Sequence, residues 1–235
     1  MPRAPRIQIA GGLYHVCVRG NRGEQIVLDD VDRRVWLATL ADAQERCGWS
    51  VYAYSLLGNH YHLLLRTPRP NLSEGMQFLG GAYATRFNVA NGVRGHLQQG
   101  RYLSRLVTTD DYALELVRYI ALNAWRAGLC GRPEEWPWAS YPALLGVAPA
   151  ARFLNVDWTL RWFGDDDHRA RDRLRAFIDA TPPPVRHIER PALAAVLTSA
   201  GRQSMRAARD YGYTVAEIAA YLRISPATAY RRLRA

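Results

Sequence analysis

From Leu13 to Arg19 the side chains alternate, with Tyr14, Val16 and Val18 on one side and Leu13, His15 and Cys17 on the other, and Arg19-Gly20-Asn21-Arg22-Gly23 follows with turn chemistry. A period of two over seven residues predicts a strand. The spacing then becomes helical over residues 29–47, where Val35, Trp36, Leu40 and Ala43 share a face, Asp30 or Asp32 supplies a cap and Cys47-Gly48 a stop. Residues 49–57 and 60–66 are aromatic and aliphatic runs around Gly58-Asn59, with Pro68 and Pro70 beyond the second, and predict two neighbouring strands. A helix over 71–88 (Leu72, Met76, Leu79, Tyr83, Phe87), a loop over 92–100 and a short strand over 101–107 come next. Thr108 or Thr109 with Asp110 and Asp111 opens a helix that runs to about Ala127 and stops at Gly128. Strands and helices in this order predict an α+β domain over 1–147. Beyond it, 165–180 reads as a charged amphipathic helix, Thr181-Pro-Pro-Pro as a stiff spacer, and everything after Pro191 as short helices. The expected division is therefore a domain at 1–147, a helical connector at 148–184 and a small all-α module at 185–235.

Composition narrows the function. The chain of 235 residues is 49% hydrophobic and 22% charged, which excludes disorder and fibrous repeats. No run of eighteen apolar residues and no signal-like start is present, so a soluble, cytoplasmic protein with no membrane partner is expected. Cys17, Cys47 and Cys130 are odd in number and far apart, which argues against a disulfide framework or a cysteine zinc site. The net charge is +10, and all 31 basic residues are arginine. That pattern suits a polyanion, because the guanidinium fork binds phosphate bidentately and stacks on bases, although a GC-rich coding sequence also replaces lysine with arginine. Gly201 to Ala235 carries seven Arg against Asp210 and Glu217, a net +5, which is half the excess.

His60-Tyr61-His62 lies inside a strand, so both imidazoles point one way and Tyr61 the other, with Cα atoms about 7 Å apart. Such a pair on a rigid element is able to grip one metal ion, or is simply a half-exposed histidine pair. A third ligand must come from elsewhere. On the helix after Asp110, Tyr119 and Asn123 are four residues apart and share a face, and Asn123 interrupts an apolar stretch. Taken singly, Tyr119 reads equally as a core aromatic.

These residues belong to an ordered series: Tyr14-His15-Val16-x-x-Arg19-Gly20-Asn21, the run from Tyr52 through Leu57-Gly58-Asn59-His60-Tyr61-His62 to Arg66-Thr67-Pro68, Gln99-Gly100-Arg101-Tyr102, Arg118-Tyr119-Ile120-Ala121-Leu122-Asn123-x-x-Arg126, and Trp136-Pro137-Trp138-Ala139-Ser140-Tyr141. Over roughly residues 8–145 the series resembles the REP-associated tyrosine transposases, members of the HUH single-strand nuclease class related to small insertion-sequence transposases. There are two departures. Tyr61 stands where the family has an aliphatic residue, and Ala124 where it commonly has proline.

The resemblance implies a ferredoxin-like antiparallel sheet with flanking helices, the HUH nuclease fold. It implies that His60, His62 and Asn123 hold a divalent cation, Mg²⁺ or Mn²⁺, and that Tyr119 attacks phosphorus to give a 5′-phosphotyrosine and a free 3′-hydroxyl. Mixed nitrogen and oxygen donors without a carboxylate fit those metals and argue against structural zinc. The implied partner is single-stranded or hairpin DNA of REP or BIME type, which would place the protein at the nucleoid. Candidate DNA contacts are Arg19, Asn21, Arg22, Arg66, Arg69, Arg101 and Arg105, each equally readable as a solvated surface residue. In the tail, Thr214–Leu222, a short turn and a Ser225-capped segment with Pro226 at its first position predict a helix-turn-helix. Thr228, Ala229, Arg231 and Arg232 would be exposed toward DNA, and Ile218, Leu222, Ile224 and Leu233 would form its core. The alternatives are a domesticated DNA-binding regulator with little or no strand-transfer activity, and a hydrolase of small phosphoesters, which the missing acidic ligand cluster disfavours. Oligomeric state stays open.

Overall fold

The computed structural model describes residues 8–180 and, beyond them, Leu193, Leu197, Ser204, Met205, Ala208, 215–225, Thr228, Ala229, Arg232 and Leu233. The chain divides into two compact units, 1–181 and 182–235.

In the first unit, β1 (Leu13–Arg19), α1 (Asp30–Cys47), β2 (Ser50–Leu56), β3 (His60–Arg66), α2 (Leu72–Asn91) and β4 (Leu103–Leu106) follow one another, and the strands form one sheet in the order β2-β3-β1-β4. Every neighbouring pair is antiparallel. Two β-α-β crossovers that each skip a strand give the ferredoxin-like arrangement, with the histidine strand β3 interior. α1 begins where the Asp29 carboxylate accepts from the Asp32 backbone N–H, and stops at Gly48, which takes φ +67 at the cap position. The strand expected over 101–107 is limited to Leu103–Leu106, which leaves Arg101 outside it in a bend.

Alternation along the strands sorts the two faces. Tyr14, Val16 and Val18 of β1 and Tyr61, Leu63 and Leu65 of β3 enter a core with Trp36 and Leu40 of α1 and Met76, Leu79 and Tyr83 of α2. Leu13 and Leu64 enter the other layer, built on α3 (Asp110–Arg126) with Leu116, Val117 and Ile120. Tyr61, the residue that departs from the family pattern, is fully buried with its ring centroid 4.7 Å from that of Trp36. It therefore fills the α1/α2 core and leaves the histidine face untouched.

Residues 148–180, expected as part of a helical connector, group with this first unit. After α4 (Tyr141–Leu144) come α5 (Val156–Leu160) and α6 (Asp167–Asp179), and Ala170, Leu174 and Ile178 of α6 share the α3 core. The Arg118 guanidinium of α3 lies 3.7 Å from the Phe177 ring centroid. α3 is thus held between the sheet and α6. The Trp136–Tyr141 motif straps the outer edge of β2: Trp136 Nε1 donates to Leu56 O at 3.1 Å, and Ser140 N donates to Tyr54 O at 2.9 Å.

In the second unit, Leu197, Met205, Ala208, Ile218, Ala219 and Ala229 are buried together, with Leu193, Leu222, Ile224 and Leu233 against them. The helix Val215–Tyr221 ends in a turn where Arg223 takes φ +52, and the Ser225 hydroxyl accepts from Thr228 N at 3.1 Å. Among the described residues, no helix is long and apolar enough to cross a membrane.

Candidate active site

Strand geometry places the first two groups. The β1–β3 register sets Cys17 opposite His62 and Arg19 opposite His60, so His15, Cys17, Arg19, His60 and His62 all face the α3 layer. α3 supplies the rest: Tyr119 and Asn123, one turn apart, point back at the sheet. The Tyr119 hydroxyl is 3.5 Å from His62 Nε2, its ring meets that of His62 edge-on at 5.1 Å, and the two strand imidazoles lie 5.2 Å apart, nearly perpendicular. The Asn123 carboxamide hydrogen-bonds both the His60 ring and the Tyr119 hydroxyl. His62 and Asn123 are buried, whereas Tyr119 keeps 37% of its surface, so the hydroxyl is reachable from outside.

Two outer contacts complete the geometry. His15 Nε2 is 3.0 Å from His62 Nδ1, the rings stacked at 5.2 Å, and His60 Nδ1 donates to Asn59 Oδ1 at 2.7 Å. Neither partner stood out in the sequence as a site residue.

Burial dominates the electrostatics. His62 is pushed down to about 3 by desolvation, helped by His15 and His60, so its ring is neutral at physiological pH and one of its two nitrogens keeps a lone pair. Desolvation lowers His60 and His15 as well, the latter aided by Arg105. Tyr119 is raised by burial and by Cys17, against the lowering effects of its Asn123 hydrogen bond and of Arg126. Among the described residues no group of three or more His, Cys, Asp or Glu side chains is arranged to hold a metal ion. The convergent set is two neutral imidazoles and one carboxamide, a donor set that suits a divalent cation with open positions for phosphate oxygen and water.

The family model of IS200-like transposases matches residues 9–123, a span that begins before β1 and ends on Asn123. Residues 9–123 form an IS200-like transposase domain. A solved REP-associated tyrosine transposase, in complex with a REP hairpin, has the same fold: TM-score 0.53 at 18% identity, over 67% of this chain and 91% of that one. A solved Deinococcus radiodurans protein described as a transposase aligns at 21% identity over 51% of this chain and 95% of its own, with a TM-score of 0.37. No curated protein matches.

Around this transposase-family site the arginines separate into near and far groups. A groove of about 590 Å³ opens beside Tyr119 between β4 and α3, and Arg105 and Arg126 line it with His15, Cys17 and Leu103. Arg19 is exposed beside His60, and Asn21 and the exposed Arg22 form the turn after β1, where Arg22 takes φ +54. Arg66 lies at the opposite end of β3, about 20 Å along the strand from His60, over the Tyr52 ring. Arg69, beyond it, faces Glu74 at 3.9 Å. The structure thus does not bring Arg66 or Arg69 to the Tyr119 site. In the second unit Arg232 is exposed, Thr228 is half-buried against the Ser225 hydroxyl, and Arg231 lies outside the described residues. Ala229, expected to be exposed, is instead fully buried in that unit's core.

Proposed function

We propose that this transposase-family protein cuts and rejoins single-stranded DNA beside REP-type hairpins through a 5′-phosphotyrosine on Tyr119. The observation that carries the reading is the convergence of the Tyr119 hydroxyl, His62 and Asn123 at the mouth of an arginine-lined groove. The hairpin enters the proposal through the fold shared with the REP-associated transposase.

His60, His62 and Asn123 would hold Mg²⁺ or Mn²⁺, which when bound neutralises charge on the non-bridging phosphate oxygens. The chain's own residues do the rest. Tyr119 Oη forms a bond to phosphorus as the bond from phosphorus to the 3′-oxygen breaks. The phenol loses a proton and the departing 3′-oxygen gains one, so the exchange is proton-neutral, and the reverse attack by a 3′-hydroxyl rejoins the strand without an external energy source. Since burial holds the phenol protonated, Asn123 and Arg126, which both favour the phenolate, are its activators. Arg105 and Arg126 receive the DNA backbone in the groove. The second unit serves as an accessory DNA-binding module.

The test is a denaturing gel of the protein with end-labelled hairpin oligonucleotides bearing single-stranded flanks, in Mn²⁺, Mg²⁺ or chelator. A metal-dependent, protease-sensitive adduct that the Tyr119→Phe variant does not form supports the proposal. The alternative reading is a hairpin-binding regulator with little strand transfer. That reading prevails if complexes form on a native gel and no adduct or cleavage appears with any oligonucleotide.

A further inference from the structure

The two strand histidines differ from an ordinary exposed pair in having each Nδ1 already engaged by a side chain outside the proposed cation site. For His60 the chemistry leaves one arrangement. The Asn59 carboxamide donates through Nδ2 to Gly23 O at 3.2 Å, which turns its oxygen toward the His60 ring, 2.7 Å from Nδ1. An amide oxygen only accepts, so His60 carries its hydrogen on Nδ1 and its Nε2 has a lone pair.

For His62 the partner is a second imidazole. β1 places His15 opposite Leu64, so it reaches His62 along the diagonal of the strand pair, with Nε2 3.0 Å from His62 Nδ1 and the rings 24° from parallel. The other nitrogen of His62, Nε2, faces the Tyr119 hydroxyl at 3.5 Å. Were His15 the donor, neutral His62 would carry its hydrogen on Nε2 and no nitrogen of that ring would be open to a cation. With His62 as donor, Nε2 is open and aligned with the tyrosine. Ligating histidines ordinarily donate their remote N–H to such an acceptor, which fixes both tautomer and ring orientation.

We propose that His15 and Asn59 are positioning residues, each accepting a hydrogen bond from the Nδ1–H of a strand histidine so that the Nε2 lone pairs of His60 and His62 are presented together. This rests on the metal-dependent reading above and adds to it a reason why β1 and the residue before the histidine motif are part of the site. Orientation is supplied by the fold before any cation arrives. Binding then spends nothing on turning the rings.

The test has a readout that needs no metal and one that needs no DNA. In the metal-free full-length protein, ¹⁵N NMR of the histidine rings is expected to place the hydrogen on Nδ1 in both His60 and His62. In the His15→Leu variant the His62 ring is expected to shift toward Nε2–H, and in Asn59→Leu the His60 ring. Titration with Mn²⁺ alone, read by electron paramagnetic resonance, is expected to weaken about 10- to 100-fold in each leucine variant. His15→Gln and Asn59→Asp, which keep an accepting oxygen, are expected to recover most of the affinity, with circular dichroism melts confirming that all four variants fold. Hydrogen on Nε2 of His62 in the wild type, or leucine variants that bind Mn²⁺ within twofold of it, overturns the positioning role alone. A wild type that takes up no Mn²⁺ overturns the metal reading as well, so the two failures are distinguishable.

Discussion

Lowering the pH from 7 to 5 should destabilise the first unit through one buried ring. His62 is 5% exposed and its folded pKa is pushed down to about 3, against 6.5 for an ordinary histidine. Between those values the unfolded chain takes up a proton at this position and the folded chain does not. Stability therefore rises with pH through this window and is lost as the pH falls below 6.5, the direction expected for a depressed basic group. Integrating nearly full protonation of the unfolded ring against none in the folded one gives about 2 kcal/mol between pH 7 and pH 5. His15 and His60 are lowered too and add in the same direction. The assay is urea unfolding at both pH values in chelator, followed by tryptophan fluorescence. All seven tryptophans (Trp36, Trp49, Trp125, Trp136, Trp138, Trp158, Trp162) lie before residue 181, so the signal reports the first unit alone. The comparison is with His62→Gln, which has no proton to gain. Wild type should lose about 2 kcal/mol more than the variant over this range. Parallel losses in the two proteins would refute the argument.

Other perturbations probe separate parts of the same architecture. A Cβ at Gly20 would stand 2.0 Å from the Glu24 carbonyl, and Gly20 N donates to Asn59 O, so Gly20→Ala should cost roughly 1–3 kcal/mol in urea unfolding and also weaken Mn²⁺ binding by disturbing Asn59. Asn71 is buried, accepts from Trp49 Nε1 at 3.3 Å and donates to Cys47 O at 2.8 Å, so Asn71→Ala should lower stability by about 1–3 kcal/mol without altering adduct yield per folded molecule. Arg126→Gln should weaken binding of single-stranded oligonucleotides irrespective of sequence and reduce the slope of log affinity against log salt by about one, while Arg66→Gln, at the far end of β3, should leave the slope unchanged.

Local periodicity carried much of this architecture on its own. The period of two through His60-Tyr61-His62 sends Tyr61 to Trp36 and both imidazoles toward α3, and the four-residue spacing of Tyr119 and Asn123 sets them on one helical face. Partners chosen by strand pairing were not legible. His15 belongs to the site only because β1 lies beside β3 in one register, and nothing local to Tyr14-His15-Val16 encodes that neighbour. Which arginines lie near the site was set by tertiary placement as well: Arg66 is four residues from His62 in the chain yet beyond the reach of the groove, whereas Arg105, a candidate from sequence, and Arg126 reach it from other elements. The α6 segment was legible as a charged amphipathic helix, but not which surface its stripe of Ala170, Leu174 and Ile178, each four apart, would cover: it packs on α3. Ala229 was misplaced by its neighbours, small and between a half-buried threonine and arginines, yet turned inward.

The clamp on α3 bears on how strands would be exchanged. Because Arg118 lies on Phe177 and α6 packs on the outer side of the helix, swinging α3 away with a DNA end attached to Tyr119 would break these contacts. On the proposed chemistry, a 5′ end joined to that oxygen stays parked beside His62 and Asn123, and the waiting time between cutting and rejoining is set by how fast a new 3′-hydroxyl diffuses into the groove. The released 3′ end starts nearest, so resealing the original break is the default outcome. On the same proposal, productive transfer depends on the nucleic acid rearranging in the groove, and the folding of a bound hairpin would decide where the strand goes.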